Sequence, residues 1–210
     1  YWLFLGKAYA SGEISIVFPL AYGSAPILIL LLSGPVFHEL LSFKQLAVIL
    51  LICAGLMLVL LSSADRLTRM NRHVLINSAA VTAIICAYTI CDALAVRKTG
   101  NPVAYTVSMY ACSGLLVFAY AIRFHRQSLV TTFYANRCAG LLWGAVSLVN
   151  YSGELWAMTR APVALVAALR ESSILFAVVL AVFWLKEPLK PSRLAGAVVV
   201  AFGLVLMRLA

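Results

Sequence analysis

Two apolar segments near the end of the chain decide how it folds. Residues 167–185 read AALRESSILFAVVLAVFWL, and a charged turn, KEPLKPSR at 186–193, joins them to LAGAVVVAFGLVLM at 194–207. Arg170 and Glu171 lie inside the first apolar run. A charged side chain costs about 2.5–3.5 kcal/mol at the centre of a membrane helix on insertion scales, so it normally faces a cavity or a partner. The pair therefore marks either the end of an apolar segment or a functional site.

The composition of the whole chain is typical of an integral membrane protein. Of its 210 residues, 64% are hydrophobic and 11% are charged, whereas soluble domains are close to half apolar and a quarter charged. The mean hydropathy is +1.01. Four stretches without Asp, Glu, Lys or Arg approach or exceed the 18–20 residues that span a bilayer, namely 14–37, 45–64, 74–91 and 99–122. The alternating ten-residue segments of membrane-spanning strands are absent. The sequence therefore predicts an all-α, multi-pass membrane protein.

Charge and motifs argue against several other classes of protein. The net charge is +9, but the basic residues lie in short loops between apolar runs, where they set membrane topology. The residues His38-Glu39-Leu-Leu-Ser42 form only half of a zinc-protease motif, because Ser42 stands where a second histidine is needed. The sequence contains no Gly-x-Ser-x-Gly and no phosphate-binding glycine loop. We therefore expect no enzymatic activity, no cofactor, no bound metal and no nucleic-acid partner.

Eight apolar segments follow one another along the chain, and the first of them is short. They predict transmembrane helices at 1–12, 14–37, 45–63, 74–96, 103–122, 138–158, 162–185 and 194–209. Polar, basic connections are predicted at 65–73 and 123–137. The sixth segment holds Gly140-x-x-x-Gly144, a spacing that lets membrane helices approach closely.

An internal repeat relates the beginning of the chain to its end. A shift of 148 residues places Glu39 on Glu187, Leu46-Ala47 on Leu194-Ala195 and Gly55-Leu56 on Gly203-Leu204. If the second repeat starts at Val74, about 75 residues, enough for two helices, would precede Tyr1. The register predicts a ten-helix parent with two five-helix halves. An odd number of helices in each half places the two halves in opposite orientations.

The same residues resemble a known transporter family. The matching stretches are LRESS at 169–173, LKEPL at 185–189, RLAGA at 193–197 and FGLVL at 202–206. They are similar to the EamA family of the drug/metabolite transporter (DMT) superfamily, and residues 9–58 resemble the first repeat of that family. The resemblance implies the last eight helices of a ten-helix, 5+5 inverted-repeat fold. Residues 1–63 would then be three helices of the first repeat, 64–73 a basic inter-repeat loop and 74–210 the second repeat.

Polar residues inside the predicted helices are the candidates for a substrate pathway. In the sixth segment Asn150, Tyr151 and Glu154 share one helix face, and the repeat register places Lys7 within one residue of Glu154. We expect a pathway at the membrane midplane lined by Lys7, Asn150, Tyr151, Glu154, Arg170 and Glu171. Glu154 and Glu171 are the candidates for proton exchange. The alternative that these charges are structural ion pairs stays open.

Other acidic residues are interpreted differently. Asp92 lies close to Arg97 and Lys98 and is interpreted as interfacial, whereas Glu39 and Glu187 end helices and are interpreted as structural.

The resemblance implies a carrier that moves a small metabolite, such as an amino acid or a drug-like solute, by alternating access. Export is the expected direction, with proton coupling as an option, and the expected location is a bacterial cytoplasmic (inner) membrane. One alternative is a sugar-phosphate or nucleotide-sugar carrier, which needs several cavity cations where only Lys7 and Arg170 qualify. The other is a structural or lipid-handling subunit without transport.

The orientation in the membrane is predicted differently by charge and by resemblance. The loops on one side of the membrane hold nine Lys and Arg residues, and the loops on the other side hold five. The side with more positive charge is expected to be cytoplasmic, which places the C-terminus outside. The resemblance implies that both termini are inside.

Overall fold

The computed structural model describes residues 6, 24–61, 72–176, 179 and 191–208. Six helices form in these ranges, and no strand does: α1 Ala25–Phe37, α2 Phe43–Leu61, α3 Arg72–Thr99, α4 Pro102–Met158, α5 Val163–Arg170 and α6 Pro191–Met207. The all-helical prediction is confirmed for this part of the chain. The count of eight helices stays a prediction, because most of the first predicted segment and parts of the second and seventh lie outside the described residues.

Two stretches of the described helices are long and apolar enough to cross a membrane, Leu75–Thr99 and Pro102–Phe124. Shorter apolar helices occupy Ala25–Phe37, Phe43–Val59 and Pro191–Met207. Large apolar side chains along α4 are exposed, with Leu116 at 73% and Leu141 at 77%. A contiguous apolar surface of this kind favours association in water, whereas lipid is its favourable environment.

The chain forms two compact units, which are described separately. The first comprises Tyr1–Cys91 and Ala161–Ala210, and the second comprises Asp92–Arg160.

In the first unit α2 and α6 pack closely, with glycines of each helix against side chains of the other. A Cβ atom on Gly55 would lie 2.7 Å from Cγ2 of Val200, and one on Gly203 would lie 2.7 Å from Cγ1 of Ile52. A higher residue number on α2 thus meets a lower one on α6, so the two helices are antiparallel. The 148-residue shift relates Gly55 to Gly203 and Ile52 to Val200. The predicted shift therefore exchanges these two contacts, and the repeat itself stays a prediction.

The predicted close-approach motif lies elsewhere and makes no such contact. A Cβ atom on Gly140 or Gly144 would meet nothing within 4 Å, and both residues are exposed. In the described part of the chain this motif therefore makes no helix contact. Its spacing allows close packing, but this face of α4 is not covered by another described helix.

In the second unit the predicted connection at 123–137 has a helical backbone, because α4 runs through it. No proline or glycine lies between Gly114 and Gly140, so no residue in this stretch removes a backbone donor or strongly disfavours helix.

Helix α4 nevertheless reverses its direction. The ring centroids of Tyr110 and Tyr151 are 5.8 Å apart, whereas 41 residues of straight helix would separate them by about 60 Å at 1.5 Å per residue. We therefore describe α4 as a helical hairpin whose first arm carries Tyr110 and whose second arm carries Tyr151. If both arms rise equally per residue, the reversal lies midway between Tyr110 and Tyr151, near residue 130. The arms correspond to the predicted helices 103–122 and 138–158.

Candidate functional site

The first candidate cluster lies at a break in the predicted seventh helix, within the first unit. That helix was expected to run without interruption over 162–185, but α5 ends at Arg170 and a turn follows at Glu171 and Ser172. Residues 173–176 are helical again. The N–H groups of Glu171 and Ser172 bond to carbonyls three residues back, at 3.2 and 3.0 Å. This spacing is that of a tighter helical turn, and serine favours helix ends over helix interiors.

The break allows two neighbouring residues to pair. Consecutive residues of an α-helix point in different directions and do not face each other, yet Nε of Arg170 lies 3.5 Å from Oε1 of Glu171. The Arg170 side chain is 20% exposed and that of Glu171 6%. The structure therefore brings these two predicted site residues together as a largely buried ion pair.

The surroundings of this pair are apolar helices of the same unit. Helix α5 packs against α1 and α2, and the carboxylate of Glu171 interacts electrostatically with the thiol of Cys53 on α2. Cys53 is itself buried. The opposite charge of Arg170 beside it is what stabilises the buried carboxylate of Glu171.

The second candidate cluster is built around Asp92, within the second unit. The side chain of Asp92 is buried, with 6% of the residue exposed. The hydroxyl of Tyr105 donates to its Oδ1 at 2.6 Å, and the hydroxyl of Tyr151 donates to its Oδ2 in a short hydrogen bond. One carboxylate thus joins α3 to both arms of the α4 hairpin. Asp92, which was interpreted from the sequence as interfacial, is thus a buried hydrogen-bond acceptor in this unit.

Tyr151 has its hydroxyl and its ring held by different partners. The hydroxyl is bonded to Asp92, while the ring stacks on Tyr110 with an interplanar angle of 24°. Glu154, one turn further along the second arm, is half-buried and interacts electrostatically with the Tyr110 hydroxyl. Asn150 is exposed on the same arm. Three predicted site residues therefore lie along the second arm, and one of them, Tyr151, stacks on Tyr110.

The end of the second arm is held by a cation. Nε of Arg97 donates to the carbonyl oxygen of Met158 at 2.9 Å. Carbonyls in the last turn of a helix lack intrahelical donors, and a basic side chain satisfies them favourably. This contact fixes α3 to the end of α4, five residues beyond Asp92 on α3.

Several residues of these clusters were not selected from the sequence, namely Asp92, Tyr105 and Tyr110. The sequence did contain a signal for the Asp92 cluster. An isolated carboxylate in an apolar helix needs hydrogen-bond donors, and tyrosine is the commonest polar residue in the next segment. Lys7, which was predicted to be near Glu154, lies outside the described residues. Within the described ranges no three His, Cys, Asp or Glu side chains form a group able to hold a metal ion.

Comparison with known proteins gives one match. The sequence model of the EamA-like transporter family matches residues 74–209, which begin in α3 and include both clusters. No curated protein and no solved structure matches significantly.

Proposed function

Because the chain belongs to the EamA-like transporter family, we propose that it carries a small metabolite across a membrane by alternating access. The family consists of integral membrane transporters of the DMT superfamily, and the apolar helices of the chain agree with a multi-pass protein. Family membership indicates a transporter rather than an enzyme. The solute, the direction of transport and its coupling are the finer parts of the proposal.

The observation that carries the proposal is the Arg170–Glu171 pair at the interruption after α5. Membrane carriers commonly place interrupted helices at their substrate sites, because unpaired backbone groups and helix ends there contact charged groups of the solute. A buried ion pair gives little net stability compared with apolar packing. Solute binding therefore explains an ion pair inside an apolar segment better than a contribution to folding stability does.

The Asp92 cluster supports the proposal in a different way. It fixes the rings of Tyr110 and Tyr151 and leaves both half-exposed, while Glu154 adds a carboxylate and Asn150 an amide on the same arm. Rigid aromatic rings with a few polar groups are typical of small-molecule sites. We propose that Lys7, Asn150, Tyr151, Glu154, Arg170 and Glu171 contact the solute.

The proposed solute is an amino acid or a drug-like molecule, and the proposed direction is export across a bacterial cytoplasmic membrane. Glu154 and Glu171 are the proposed proton carriers, since each is a carboxyl group inside an apolar segment. Only Lys7 and Arg170 would supply cations, which favours these solutes over sugar phosphates and nucleotide sugars.

Flux through the full-length protein in proteoliposomes tests the proposal. Vesicles would be loaded with individual amino acids and amphipathic amines, and release would be followed with and without a pH gradient. We expect release of at least one solute above that from protein-free vesicles. Correctly inserted protein that moves none of these solutes would instead indicate a structural or lipid-handling subunit.

A further inference from the structure

The short connection between α1 and α2 has an unusual, well-defined conformation. His38 ends α1 with φ of 54°, and it is the only residue other than glycine with positive φ in the described ranges. This left-handed region is unfavourable for residues with a Cβ atom. At the other end, Ser42 and Gln45 bond each other's backbone N–H groups at 3.0 and 3.2 Å, a capping box that starts α2. Glu39 is therefore held between two fixed ends.

Glu39 extends from this connection to the beginning of α5. Its Oε2 accepts a hydrogen bond from the backbone N–H of Val163 at 3.0 Å. Val163 is the first residue of α5, and Pro162 before it provides no side-chain cap. The first N–H groups of a helix lack intrahelical acceptors and carry partial positive charge, so a carboxylate at this point is stabilising.

We propose that Glu39 is a positioning residue for the Arg170–Glu171 pair. Helix α5 has eight residues and is about 12 Å long at 1.5 Å per residue. Glu39 holds its first residue, and the ion pair lies at its last. A helix of two turns moves as one piece, so a shift or rotation at Val163 displaces Arg170. Glu39 belongs to the predicted first repeat and α5 to the second, so this contact links the two halves.

The structural part of the inference is tested without transport, by hydrogen exchange in the full-length protein. We expect Glu39→Ala to speed exchange of the amides in the first turn of α5 on the order of tenfold, because a charge-assisted hydrogen bond is lost. Glu39→Gln keeps an acceptor oxygen and should give a smaller effect. Lys44→Gln is the matched control, since Lys44 is an exposed residue close to the same connection. Equal exchange in Glu39→Ala and the unmodified protein would overturn the inference.

The functional part rests on the proposed transport and is read from kinetics. We expect Glu39→Ala to raise KM for the transported solute about threefold or more, with Glu39→Gln between it and the unmodified protein. A role in folding alone would lower the amount of active carrier, and hence the maximum rate, at unchanged KM; that result would refute positioning. If Glu39→Ala does not insert, Glu39→Gln decides in its place. If the unmodified protein moves no solute, the proposed function fails, and the exchange result still decides whether Glu39 holds α5.

Discussion

Gly55 of α2 and Gly203 of α6 pack across the same antiparallel helix pair. The predicted 148-residue shift places Gly55 on Gly203 and Ile52 on Val200, so it exchanges the two contacts. Gly55 faces Val200, and Gly203 faces Ile52. A two-fold operation that exchanges the helices would exchange these contacts, as in the self-complementary interface of a symmetric dimer. Antiparallel packing is the arrangement that such an axis, lying in the membrane plane, produces.

The first prediction concerns this contact. Gly55→Ala should destabilise the protein by about 1–3 kcal/mol, the range for overpacking a close contact. A new Cβ atom would lie 2.9 Å from the backbone oxygen of Gly196 and from the backbone nitrogen of Val200, and backbone cannot move aside cheaply. Gly203→Ala should cost less, because its nearest contact is the Ile52 side chain. The thermal unfolding midpoint in detergent measures both effects.

Gly140→Ala is the matched control, because nothing lies within 4 Å of the added atom. A drop in the midpoint for Gly140→Ala equal to that for Gly55→Ala would contradict the assigned packing. The repeat rests on residue identity alone and stays a prediction. The glycine spacing at 140–144 permits close packing, but spacing does not show which helix face another helix covers.

The second prediction concerns the carboxylate of Asp92. Asp92→Asn and Tyr105→Phe should each destabilise the protein, and the double variant should be less destabilised than the sum of the two. Hydrogen bonds to a charged group contribute about 1.5–3 kcal/mol, and a coupling of this sign between contacting residues reveals a direct bond. Unfolding by denaturant, compared across the four proteins of the cycle, measures the coupling.

Tyr120→Phe serves as control, since the Tyr120 ring contacts Phe124 on α4, whereas the described hydrogen bonds of Asp92 come from Tyr105 and Tyr151. If the changes in unfolding free energy caused by Asp92→Asn and Tyr105→Phe simply add in the double variant, the described hydrogen bond is contradicted. The cluster was not predicted because Asp92 was judged by its neighbours in sequence. Its partners lie 13 and 59 residues away, and only the reversal within α4 brings the second one close.

The third prediction tests that reversal directly. In a variant without the five native cysteines, Tyr110→Cys with Tyr151→Cys should be joined by a short thiol cross-linker, because the native ring centroids are 5.8 Å apart. Tyr110→Cys with Trp143→Cys is the control, since Trp143 is exposed and precedes Tyr151 on the second arm by about 12 Å at 1.5 Å per residue. Mass spectrometry of the cross-linked peptides identifies the product. Efficient cross-linking of the control pair alone would refute the hairpin.

The last prediction addresses the solute site itself. Glu154→Gln and Arg170→Ala should each lower transport by the full-length protein at least about tenfold, the effect of losing one charged contact to the solute, and leave membrane insertion intact. Removing a charge from an apolar segment does not hinder insertion, because the apolar segment gains hydrophobicity. Arg160→Ala is the matched control, since Arg160 is exposed and lies over the Trp156 ring. Transport measured in proteoliposomes with equal amounts of inserted protein compares the three variants. Undiminished transport in both site variants would show that these charges hold helices together without contacting the solute.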